Sequence, residues 1–159
     1  TLDCPNNRYV NDEEICQAVV NMWARIGIKT KLNAVNFGPF IAKVQNFDTS
    51  AYLLGWGAAT YDAQYSLQSL VMTRTQGADG NFNYSRVSNA KLDALVESMK
   101  TETDKNKRDA MIKDGLAIAR DEVLVIPLHH QMRPWSMKKN VTMTHNSNDA
   151  PKMMYVTVK

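Results

Sequence analysis

The 159 residues predict an α/β layer fold, a mixed sheet flanked by helices. Hydrophobic periods of two and 3.6 alternate along the chain, and a continuous apolar run over Ala51–Trp56 is what a strand covered on both sides requires. At 17.9 kDa and 44% apolar residues the chain buries enough for one core, which excludes a disordered or collagen-like protein. No apolar run approaches the ~18 residues of a membrane span; the longest, Ala51–Leu54 and Val123–Ile126, are strand-sized.

Residues 1–9 read as a first extended segment. Asn11 and the acidic Asp12, Glu13 and Glu14 then open an amphipathic helix whose apolar positions are Ile15, Val19, Met22, Trp23 and Ile26, stopped by Gly27. Ile28, Thr30, Leu32 and Ala34 alternate with Lys29, Lys31 and Asn33, so a half-covered strand follows and the opening reads β-α-β. Pro39, after Gly38, suits a helix start, with Phe40, Ile41 and Val44 on one face. After the strand over 51–56, Gln64–Met72 forms a short helix. Thr73–Val87 is long and rich in Gly, Asn and Ser, a loop suspected of function or mobility.

Ser88 and Asp104 cap two helices, carrying Leu92, Leu95, Val96 and Met99, then Ile112, Leu116 and Ala119, as a helical hairpin over about 88–122. A closing strand over about 124–130 contains Pro127, which places it at an edge or a bulge. From Arg133 the pattern weakens through Pro134, Asn140, the polar run Thr144 to Asp149 and Pro151, before an extended piece over Met153–Val158. Residues 1–132 therefore form the domain and 133–159 a tail that does not fit the same core.

The charge balance, 19 basic against 16 acidic without a long one-sign block, argues against nucleic acid as a partner. Thr1 is not an initiator Met and no basic-then-apolar leader is visible, so a preceding segment is expected to have been removed. Cys4 and Cys16 permit one disulfide in an oxidising compartment or two buried thiols in a reducing one. Catalytic signatures are scarce: there is no Gly-x-Ser-x-Gly elbow, Walker loop, Gly-x-Gly-x-x-Gly or His-Glu-x-x-His. His129 and His130, adjacent on a strand, point to opposite faces and cannot chelate one ion in regular geometry, so no metal or cofactor is expected. They are the residues that a small hydrolase or transferase would use. Asn83-Tyr84-Ser85 and Asn140-Val141-Thr142 fit a glycosylation triplet that is short enough to arise by chance.

The segment Gly55, Trp56, Gly57, Ala58, Ala59, Thr60, Tyr61, Asp62 carries more information. An apolar strand delivers one large aromatic and a run of small residues to its C-terminal end, where open α/β sheets bind ligands. Either the indole and the approachable backbone form a binding wall, or Trp56 fills core and the small residues make a tight turn.

In order, Ile26-Gly27-Ile28, Leu54-Gly55-Trp56, Asp62, Asn83-Tyr84-Ser85, Leu92-Asp93-Ala94-Leu95, Thr103-Asp104, Lys107-Arg108 and Ile126-Pro127-Leu128-His129 resemble the C-terminal lobe of the peptide-class (family 5) extracytoplasmic solute-binding proteins of bacterial ABC transporters. The resemblance spans residues 1–130 and implies one lobe of a two-lobe, periplasmic-binding-protein-like fold, periplasmic or lipid-anchored, without catalysis or cofactor. Its implied partners are a peptide or peptide-like solute, the N-terminal lobe toward which 133–159 would return, and an ABC permease. The lobe alone, with its inter-lobe face uncovered, could self-associate. Binding is carried over to Gly55–Asp62. In dipeptide-binding members an aspartate three positions after the tryptophan pairs with the ligand ammonium; here that position is Ala59, which weakens the case for dipeptides and leaves longer peptides, modified peptides, opines or metal chelates open. The implied compartment favours a Cys4–Cys16 disulfide.

Overall fold

The computed structural model describes residues 1–132, 134–144, 146 and 150–159. Arg133 and most of the polar run Thr144 to Asp149 thus lie outside the described residues. The chain divides into two compact units, Thr1–Ile126 and Pro127–Lys159.

The first unit begins with β1 (Leu2–Pro5), α1 (Asp12–Arg25), β2 (Leu32–Val35), α2 (Phe37–Gln45) and β3 (Ala51–Tyr52). Its three-stranded sheet has the order β2-β1-β3, parallel throughout, with Cys4 opposite Ala34 and Asp3 opposite Tyr52. Parallel neighbours need crossovers, and α1 and α2 provide them. The expected strands are shorter than their apolar runs. β2 starts at Leu32, leaving Ile28 exposed. β3 ends after Tyr52, with Leu53 N–H still donating to Asp3 O (3.0 Å). The next rung would require a hydrogen on the Pro5 nitrogen, and proline has none.

In α1 the buried face differs from the expected stripe. Cys16 is buried with Val19, Val20 and Trp23 packed nearby, whereas Met22 and Ile26 are 51% and 71% exposed. The Cys4–Cys16 disulfide, Cα–Cα 6.5 Å, fixes which face of α1 turns to β1. Asn11 adopts a left-handed φ of 56° and caps with no side-chain bond. The buried Asp12 orders the entry instead, accepting from the N–H groups of Arg8, Tyr9 and Glu13 at 2.9–3.0 Å. Gly27, at φ 84°, ends the helix as expected. Removing the bridge through Cys4→Ala and Cys16→Ala should cost about 2–3 kcal/mol. Urea melts of the double variant check the cost. An intact mass unchanged by reductant, showing two free thiols in native protein, would contradict the bridge.

The second half of this unit is helical: α3 (Ala63–Leu70), α4 (Ala90–Met99) and α5 (Lys105–Asp121). Leu67, Val71, Met72, Leu92, Val96, Met99 and Ala119 form their shared core, so the predicted hairpin is present. Asp104 caps α5 through Lys107 N–H, as expected, but Asn89 rather than Ser88 caps α4, through Leu92 N–H. Ser88 Oγ bonds Thr73 Oγ1 instead (2.9 Å). A third cluster, Phe40, Val44 and Tyr84, joins α2 to the loop after α3. That loop is pinned rather than loose: the fully buried Asn83 donates to Met72 O and Val87 O and accepts from Val87 N–H. Its burial also removes the first glycosylation triplet from use.

Residues 124–130 form no strand, contrary to expectation, and Val123, Val125 and Ile126 are 64%, 47% and 64% exposed. Val123 takes a φ of 50° directly after α5, a left-handed turn that breaks any strand at its start. The second unit contains a short antiparallel pair, β4 (Val141–Thr142) with β5 (Thr157–Val158), preceded in β5 by one 3-10 turn at Met153–Tyr155 in place of uniformly extended chain.

Candidate functional site

Because β1, β2 and β3 run parallel, the segments leaving their C-terminal ends meet along one edge, the edge where open α/β sheets receive ligands. Three contacts lock that edge together. Asn6 N–H donates to Val35 O (3.1 Å), Phe37 N–H to Asn7 Oδ1 (2.8 Å) and Gly55 N–H to Tyr9 Oη (3.0 Å). A Cβ at residue 55 would stand 2.8 Å from Tyr9 Cε1, so any larger residue would push the Tyr9 ring from this position.

From Gly55 the chain presents Trp56, Gly57, Ala58, Ala59 and Thr60. Among the described residues, no hydrogen bond uses the backbone N–H groups of residues 56–60, while Tyr61 N–H closes a turn on Ala58 O (3.0 Å). A Cβ at Gly57 would meet nothing within 4 Å, so open space adjoins the backbone there. The segment therefore offers unused donors beside an open surface, which is what recognition of an extended amide ligand requires.

Trp56 is half-buried and braced. Its indole stacks on Tyr65 (centroids 5.4 Å, 26°) and tilts against Phe82 (5.1 Å), and Nε1–H donates to Ser66 Oγ (3.1 Å). Elements of both sequence readings thus coexist: α3 covers one face of the ring, yet the ring is not sealed in the core. Its N–H is already committed, leaving ring surface as what it can offer. Phe82, 40% exposed, extends the aromatic surface, and Tyr61, further along the segment, is 62% exposed with a left-handed φ of 56°.

Asp62 closes the segment. Its Oδ1 accepts from Gln64 N–H (2.8 Å), capping α3, and its Oδ2 accepts from Arg108 Nη1 (2.6 Å). The Arg108 hydrogen bond, against an opposing contribution from burial, holds this carboxyl below its ordinary range. It is thus a charged cap fastened to α5, with both oxygens engaged.

Arg8 belongs to the same edge and was missed from sequence. Its guanidinium lies 5.6 Å from the Tyr9 centroid and 5.2 Å from that of Phe37. None of the ion pairs among the described residues includes it. An exposed guanidinium held by two rings, with no acidic partner among the described residues, is suited to receive a carboxylate. The available signal was the dipeptide Arg8-Tyr9, separated by two residues from the end of the first strand.

His129 and His130 lie exposed in the second unit, and neither bonds a carboxylate among the described residues. No cluster of three or more His, Cys, Asp or Glu suited to a metal occurs among the described residues. No helix there is long and apolar enough to cross a membrane.

Residues 1–78 match the family described as "Bacterial extracellular solute-binding proteins, family 5 Middle". The chain is 30% identical over 131 residues to di/tripeptide-binding protein 1 of Pseudomonas aeruginosa, covering 82% of this chain and 24% of that protein. It is 27% identical over 129 residues to the oligopeptide-binding protein OppA of Bacillus subtilis, covering 80% and 23%. Among solved structures, HbpA2 from Haemophilus parasuis superposes with a TM-score of 0.75 at 20% identity, covering 99% of this chain and 32% of that one. The chain spans under a quarter of these two curated relatives.

Proposed function

We propose, from the match of residues 1–78 to the family 5 bacterial extracellular solute-binding proteins, that this chain supplies one wall of a cleft that takes peptides or peptide-like solutes for an ABC importer. The protein works outside the cytoplasm and performs no chemistry on its cargo. The opposite wall, supplied by the remainder of a longer protein, and the permease are partners in this reading. The observation that carries it is the row of N–H groups over residues 56–60 that no hydrogen bond among the described residues uses, on the chain leaving Gly55, which the Tyr9 hydroxyl ties to the C-terminal edge of a parallel sheet.

In that arrangement the backbone of residues 56–60 donates to ligand carbonyls, the aromatic surface of Trp56, Phe82 and Tyr61 covers apolar side chains, and Arg8 pairs with a ligand carboxylate. With one wall only, water is not excluded and the ordering cost is offset by few contacts, so binding should be weak, about 1 mM. Titration of trialanine followed by amide NMR should shift residues 55–61 and quench Trp fluorescence. Arg8→Gln should weaken trialanine about tenfold and leave its C-terminal amide unaffected. Shifts confined to other surfaces, or nanomolar binding by this chain, would contradict the one-wall picture.

A further inference from the structure

The loop between α3 and α4 serves the proposed wall only through Phe82, yet it is built with unusual care around two other side chains. Arg86 lies with its guanidinium carbon 4.9 Å from the Phe47 centroid, and Arg74 lies 5.6 Å from the same ring and 5.9 Å from Tyr84. Two like charges gathered on one ring repel each other. A carboxylate between them would be the ordinary remedy, but none of the ion pairs among the described residues includes either arginine. Asp48, next to Phe47 in sequence, uses its N–H on Lys43 O and pairs with neither. Arg74 Nη1 donates to Asn81 O (2.9 Å), which orients the group without neutralising it.

The backbone holds this pair in place. Phe47 and Arg86 both adopt left-handed conformations, φ 58° and 54°, which side-chain-bearing residues enter at a cost. Gly80 packs directly on the Arg74 backbone, and the buried Asn83 fixes the turn that delivers Arg86. Two exposed arginines are thus preorganised on a common aromatic platform, with one Arg74 donor spent on Asn81 O and neither guanidinium in an ion pair among the described residues. Ser85, next to Arg86 in sequence, shares a hydrogen bond with Tyr52 Oη (3.1 Å).

We infer that Arg74 and Arg86, braced on Phe47, form a docking point for a carboxylate-rich segment of a partner protein. The composition decides for protein over lipid: Arg, Phe and Tyr side by side is what protein interfaces enrich, whereas anionic membrane surfaces recruit clusters of about four to eight basic residues. The carboxylates would accept charge-assisted hydrogen bonds from both guanidiniums, and the aromatic ring between them would be covered.

The test titrates the whole chain with the peptide acetyl-Glu-Asp-Glu-Asp-amide and follows the arginine side-chain Nε–H signals by NMR. Shifts should concentrate on Arg74 and Arg86 and shrink with added salt. R74Q/R86Q should bind about tenfold more weakly, and Phe47→Leu, which keeps both charges and removes the platform, should weaken binding severalfold. Should the double variant fail to fold by circular dichroism, R86Q alone gives the reading. Inorganic phosphate and phosphatidylcholine vesicles containing phosphatidylglycerol are run alongside. The inference is overturned by shifts spread equally over Arg8, Arg25 and Arg120, by wild-type affinity in the variants, or by phosphate or vesicles binding more tightly than the peptide.

Discussion

Asp3→Ala should destabilise the first unit by about 3–5 kcal/mol, the range for removing one partner of a buried ionic network. Asp3 is fully buried on the central strand, where its Oδ1 accepts from Asn33 Nδ2 (2.6 Å) and Lys43 Nζ (2.8 Å) and its Oδ2 from Thr49 Oγ1 (2.7 Å). One carboxylate therefore ties β2, α2 and the turn before β3 to β1. Burial alone would raise its pKa, but the hydrogen bonds from Lys43, Asn33 and Thr49 outweigh it and the group titrates below its ordinary value. A carboxyl whose folded pKa is depressed contributes stability that is present above the unfolded value, about 3.9, and is lost as pH falls through the folded one. The gap between wild type and Asp3→Asn should therefore be largest near neutrality and close below about pH 4. Urea melts of both proteins at neutral and acid pH measure it; a gap that stays constant with pH would show that the charge contributes nothing.

The helices were legible because their signals are local. Gly27 and Asp104 sit where the chain turns, and the apolar residues read for α4 share a core with Ile112 and Ala119 of α5, although Leu116, read for the same face, is 46% exposed. Where two capping residues stood side by side, sequence chose wrongly: Asp12 and Asn89 carry the bonds expected of Asn11 and Ser88. Strand lengths were not legible, since β3 stops according to which β1 residue lies opposite it, and the apolar run Ala51–Trp56 contains no record of Pro5. Nor was the face of α1, which turns on a covalent bond 12 residues away rather than on hydropathy.

The candidate wall divides in the same way. The small residues after Trp56 advertise an approachable backbone within a single segment, and no hydrogen bond among the described residues uses those N–H groups. Arg8 becomes a neighbour of the wall only through the parallel pairing of β1 and β3 and the Tyr9–Gly55 bond, 46 residues apart in sequence. The bracing of Trp56 by Tyr65 and Phe82 likewise needs α3 and its following loop folded back together. Non-local contacts of this kind leave a residue-type trace but no spacing rule.

Gly80→Ala is the second large effect, an expected loss of about 3 kcal/mol or more from the sum of a left-handed residue's penalty and local overpacking. Gly80 has φ 64°, and a Cβ there would lie 2.5 Å from Met72 O, 2.6 Å from Arg74 Cα and 2.8 Å from Arg74 N. All three are backbone atoms, so no rotamer change relieves the clash. The site cannot drift outward either, because Gly80 N–H donates to Gln68 O and its own carbonyl accepts from Asn83 N–H, both at 2.9 Å. Gly77, in the same loop, is the control: its Cβ would meet only Thr75 Oγ1 at 3.5 Å, so Gly77→Ala should be within about 0.5 kcal/mol of wild type. For a chain of this size the Gly80 variant should melt about 10 °C lower. Since the loop also carries Phe82 against the Trp56 ring, its Trp emission should shift below the melting temperature, whereas that of Gly77→Ala should not. A Gly80→Ala protein melting with the control would mean that this loop yields freely, and neither Trp56 nor Arg74 could then be held as described.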